Sequence, residues 1–91
     1  MKCIVLYNGS YLTMKRYITV EIKDNKLVFS LQDLGREEYE AFYSLNEEET
    51  KKFLKLIPFR KIKKKFEGPE AMENFKKFCD SNAIKCEFSA F

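Results

Sequence analysis

Hydrophobic and polar positions change period along this chain, and the changes divide it into elements. From Tyr17 to Lys23 the alternation is strict, with Ile18, Val20 and Ile22 on one side and Tyr17, Thr19, Glu21 and Lys23 on the other. Successive strand residues point to opposite faces, so residues 16–23 read as a half-buried strand. Asp24-Asn25-Lys26 is hairpin-loop chemistry, after which Leu27, Phe29 and Leu31 return on a single face. Residues 2–8 are apolar on both parities, which suits a strand covered on both sides in the middle of a sheet. Asn8-Gly9-Ser10 then offers a turn. The first 32 residues therefore predict an antiparallel meander.

Between Glu37 and Leu45 the residues Tyr39, Ala41, Tyr43 and Leu45 share one parity, and Glu38, Glu40 and Ser44 the other. Period and aromatic content favour a strand over the helix that Glu and Ala would support. Asn46 follows as a helix N-cap, with Glu49 placed to complete a capping box. Glu47–Lys51 and Glu48–Lys52 are i,i+4 pairs in the favourable orientation, and Phe53, Leu54, Leu56 and Ile57 supply a buried stripe that Pro58 ends. The stretch from Phe59 to Glu67 fits helix and strand equally and reads as a linker, with helix, strand and loop all left open. Gly68-Pro69 opens a second helix whose apolar face is Ala71, Met72, Phe75, Phe78 and Cys79, with Pro69 at its first position. Ser81-Asn82 stops it, Asn being the residue that tolerates a left-handed backbone. Ile84, Cys86, Phe88 and Ala90 alternate with polar residues as a last strand. The order is β-β-β-β-α-α-β. It predicts one α+β domain over residues 1–91, an antiparallel sheet of about five strands with two amphipathic helices on one face.

Composition adds that this is a packed globule, since 45% of the 91 residues are hydrophobic and fourteen are Phe or Tyr. The net charge of +3 conceals an asymmetry. Residues 1–50 hold six Lys/Arg against nine Asp/Glu, and residues 51–91 hold eleven against five, so the halves carry −3 and +6. Cys3, Cys79 and Cys86 are odd in number, lack metal-site spacing and sit among apolar residues, as buried thiols in a reducing compartment do. The apolar run at the N-terminus is too short for a signal sequence or a membrane span, so a cytoplasmic protein is expected.

No histidine is present. Its absence excludes Ser-His-Asp and Cys-His nucleophile pairs, histidine metal ligands and the usual neutral-pH general base. No glycine-rich phosphate loop, metal-ligand cluster or cofactor motif replaces them. Two catalytic arrangements stay conceivable. Asp33 with Glu37, Glu38 or Glu40 would make a carboxylate pair, although a solvated strand face explains these residues more simply. A histidine-independent nuclease using Lys, Arg and Tyr is the other.

Two surfaces invite a binding role. Glu37, Glu38, Tyr39, Glu40, Phe42 and Tyr43 combine aromatic anchors with a carboxylate rim, as an interface for a basic protein such as a toxin or nuclease would. Arg60, Lys61, Lys63, Lys64 and Lys65 put five positive charges into six residues between Phe59 and Phe66, a pattern for phosphate contacts with aromatic stacking. The Lys excess over Arg, fourteen to three, speaks against specific base reading. A strand with an unpaired edge would also permit a homodimer.

The succession Asp33-Leu34-Gly35, the aromatic strand Tyr39 to Tyr43, Asn46-Glu47-Glu48-Glu49-Thr50 and Asn82-Ala83-Ile84-Lys85-Cys86-Glu87-Phe88 resembles a family of small, uncharacterised bacterial single-domain proteins. The resemblance covers about residues 17–91 and implies a one-domain α+β fold and no activity. In size and type the chain is also similar to immunity proteins that neutralise toxins. The function expected from the sequence is a non-catalytic protein-binding module of the immunity or antitoxin type; the alternative is a nucleic-acid-binding accessory protein.

Overall fold

The computed structural model describes residues 2–35 and 38–90. Its five strands form one antiparallel sheet in sequence order: β1 (Lys2–Tyr11), β2 (Met14–Lys23), β3 (Lys26–Leu34), β4 (Tyr39–Ser44) and β5 (Glu87–Ala90). Between β4 and β5 the chain makes α1 (Glu47–Leu56), a 3-10 turn at Phe59–Lys61, α2 (Ile62–Phe66) and α3 (Ala71–Ser81). The architecture is α+β as expected, with a third helix arising from the ambiguous 59–67 stretch. Ile62 and Phe66 are four residues apart and both buried, and that spacing selects helix.

The β2–β3 hairpin turns on Asp24 and Asn25, both with positive φ, as a two-residue hairpin turn requires. It aligns Ile18 with Leu31, Val20 with Phe29 and Ile22 with Leu27 under the helices. The expectation for β1 is corrected. β1 is an edge strand; it runs through Asn8 and Gly9 and turns at Leu12-Thr13. Its apolar residues occupy both parities because a β-bulge between Val5 and Tyr7 shifts the phase. Ile4 lies opposite Val20 before the bulge and Tyr7 opposite Ile18 after it, so both face the core, with Leu6 buried between them. The run records a change of register at an edge.

The core is aromatic. Phe29 of β3 stacks on Phe75 of α3 at 4.3 Å between centroids, and Phe53 of α1 and Phe66 of α2 close around the same ring at 5.4 and 6.0 Å. Asn46 caps α1, accepting from the Glu49 N–H at 2.8 Å. The capping box is only half formed, because the Glu49 carboxylate accepts from the Lys85 N–H at 3.3 Å and pairs with Lys52 at 3.4 Å. Lys52 is therefore bound i,i+3 to Glu49. Thr50 is buried; its hydroxyl accepts from the Leu27 N–H and donates to the Leu45 carbonyl, tying α1 to the ends of β3 and β4.

The entry to α3 also departs from expectation. Pro69 and Glu70 form a turn before the helix, following Gly68, whose φ of 122° favours glycine and whose N–H donates to the Leu6 carbonyl. At the far end the left-handed residue is Ala83 (φ 55°), while Asn82 donates from its side chain to the Phe78 carbonyl at 2.8 Å. Residues 84–86 precede β5 without joining it.

Candidate functional site

Among the described residues the helices lie on one face of the sheet and leave the other face uncovered. Register assigns the uncovered positions: Cys3, Val5, Tyr17, Thr19, Glu21, Val28, Ser30, Gln32, Glu40 and Phe42 alternate with the core residues of their strands. At its centre is a shallow depression of about 170 Å³ between Tyr17, Thr19, Ser30, Gln32, Glu40 and Phe42. Tyr17 is 38% exposed. Gln32 donates to the Glu40 carboxylate at 3.1 Å, which fixes the carboxylate beside Phe42.

The six residues read from the sequence as one aromatic and acidic surface are divided by the pleat. Glu40 and Phe42 belong to the uncovered face. Tyr39 lies opposite Asp33, and Tyr43 opposite Phe29, on the helix-covered side. Tyr43 packs between Phe88 and Phe75, at 5.1 and 6.0 Å, and burial raises its phenol pKa. Glu38 is exposed just before β4, and Glu37 lies outside the described residues. Tyr17, Thr19 and Gln32 complete the depression and escaped the sequence reading. A signal for them exists: with the turn at Asp24-Asn25, every β2–β3 pair has residue numbers summing to 49, which sets Tyr17 opposite Gln32 and Thr19 opposite Ser30.

The same register explains Asp33. It faces the helical layer opposite Arg16, whose Nε and one terminal nitrogen donate to its two oxygens at 2.8 and 2.9 Å. The other terminal nitrogen of Arg16 donates to the Pro69 carbonyl at 2.9 Å. With side chains only 12% and 8% exposed, this is a bidentate, largely desolvated pair that pins the approach to α3 onto the sheet. A catalytic pairing of Asp33 with Glu40 is thereby overturned, because the two carboxylates are on opposite faces.

The basic run follows the 3-10 turn and α2. Arg60, Lys61, Lys63, Lys64 and Lys65 are all exposed. Phe66 is 2% exposed and belongs to the core, and Phe59 is half-buried with the Lys2 ammonium 5.9 Å above its ring. Phe66 is therefore closed to base stacking.

A larger concavity, about 680 Å³, lies elsewhere, between the start of α1, the end of α3 and the approach to β5; Lys26, Asn46, Lys76, Asp80, Lys85 and Cys86 line it. Lys76 donates to Asp80 at 2.8 Å, which raises its pKa. Burial raises Cys86, and burial pushes Cys79 behind it up to about 12, with Cys86 adding to the shift. Both thiols therefore stay protonated near neutral pH and are poor nucleophiles and metal ligands. Cys3, read from the sequence as buried, is exposed on the uncovered face opposite Glu21. Among the described residues no three His, Cys, Asp or Glu converge on a point, and no helix is long and apolar enough to cross a membrane.

Compared with known proteins, the chain matches no family model, no curated protein and no solved structure.

Proposed function

We propose that the protein is a non-catalytic protein-binding module whose recognition surface is the uncovered face of the sheet, and that its partner presents a basic surface, as a toxin or nuclease held by an immunity protein would. The observation that carries this reading is the depression between Tyr17 and Phe42, with Glu40 fixed at its edge. Aromatic side chains around a shallow concavity are what anchor protein interfaces. Charge favours protein over nucleic acid here. Glu40 lines the depression itself, whereas Lys15, Lys23 and Lys26, on the same face, do not. A phosphate-binding sheet would have the reverse arrangement.

The test is capture from the native cell with the purified protein as bait, beside a Tyr17→Arg/Phe42→Arg variant. A basic protein is expected on the wild type and absent from the variant, with the melting temperature of the bait little changed. Equal capture by both would overturn the reading.

A further inference from the structure

A second surface carries charge that the fold does not use. Lys61, Lys64 and Lys65 are spaced i, i+3, i+4, which brings them to one side of the α2 segment. With Leu56, Ile57 and Pro58 they line a groove of about 300 Å³ at the end of α1. Ile62 and Phe66 of the same segment are buried, so the lysines stand on an anchored support. Lys63 differs: it pairs with Glu67 at 3.8 Å and lines a separate depression beside β1.

No carboxylate lines the groove, and among the described residues none of its three lysines is in an ion pair. The C-terminal dipole of α1 supplies only about half a negative charge. The three lysines that line the groove thus lack a charge partner among the described residues. Leu56, at the groove's margin, is 53% exposed. The floor is aliphatic, with no aromatic plane on which a base would stack, and the apolar area amounts to a few side chains.

We propose that this groove binds an acidic peptide segment of a partner protein, with carboxylates on Lys61, Lys64 and Lys65 and an aliphatic side chain over Leu56. Charge complementarity and the aliphatic floor together select that occupant. A bare polyanion would leave Leu56 idle, and a membrane surface would need a broader apolar contact.

The probe is a short labelled peptide of alternating glutamate and leucine, titrated by fluorescence anisotropy at low and moderate salt. Single-stranded RNA, phosphatidylglycerol vesicles and an all-glutamate peptide are the comparison ligands. The peptide is expected to bind more tightly than these three and to weaken with salt. Binding should fall about tenfold or more in Lys61→Glu/Lys64→Glu/Lys65→Glu, where attraction becomes repulsion. It should fall about fivefold in Leu56→Ser, from the loss of one apolar contact. Far-UV circular dichroism checks folding, and Lys→Gln replacements substitute if the charge reversal does not fold. Any other pattern overturns the proposal, including RNA or vesicles binding as tightly as the peptide, or Leu56→Ser binding as the wild type does. The sheet face plays no part in this experiment, so its outcome is independent of the function proposed above.

Discussion

The helix-covered and uncovered faces of the sheet carry the same alternation but use it differently. On the covered face Ile18, Val20, Leu27, Phe29 and Leu31 meet the phenylalanines of the three helices, and nearly all their surface is removed from water. On the uncovered face the corresponding positions are Tyr17, Thr19, Val28, Ser30 and Gln32, half-wet and mixed in chemistry. Folding requires the first set. It does not require a ring at the exposed Tyr17, because threonine suits a strand surface about as well. The difference separates residues that stabilise from residues that are available for recognition.

The sharpest way to break that comparison is to truncate one ring on each face. Phe75→Ala should cost about 3–5 kcal/mol in urea unfolding, because the cavity would open among Phe29, Phe53 and Phe66. Phe42→Ala should cost well under half as much; equal losses would mean that the uncovered face is structural after all.

Arg16 comes next. Arg16→Ala leaves the Asp33 carboxylate buried without its partner and should cost about 2–3 kcal/mol, somewhat less than a fully buried pair. Replacing both by Met and Leu should recover most of that loss, because the penalty comes from the orphaned charge. A double variant as unstable as the single one would show that the contact to the Pro69 carbonyl matters more than the pair.

The effect that is smallest near neutral pH belongs to a thiol. Cys79 is held near 12 against an ordinary thiol value near 9, so between those values the folded chain keeps a proton that the unfolded chain releases. The stability this thiol contributes is intact below about pH 9 and falls as pH rises toward 12. Melting curves of wild type and Cys79→Ala should therefore converge on alkalinisation; parallel curves would contradict the burial of the thiol.

Elements set by local chemistry were legible in the sequence. Asp24-Asn25 fixed a turn, Asn46 a cap, and the spacing of Phe75 and Cys79 a helix face. What depended on distant chain was not. The bulge in β1 is invisible to a period count, since a phase shift and burial on both faces leave the same apolar run. The contact between Arg16 and Asp33 spans 17 positions and follows only from the exact hairpin register. The six-residue interaction surface was drawn along the strand without regard to its pleat, so it merged Tyr43 of the core side with Phe42 of the open side.

The sheet order also sets how much chain each pairing encloses. β1 to β4 follow one another in sequence, so each pairs with its predecessor across a short loop and little chain has to be gathered. β5 reaches β4 only after α1, α2 and α3 have been laid down, and its four residues are all exposed. Its ladder closes the longest loop between neighbouring strands, which makes it the cheapest to undo. In amide exchange, Glu87–Ala90 would give up their protons long before β2 and β3 do, which makes the C-terminal strand a latch on a framework already complete without it.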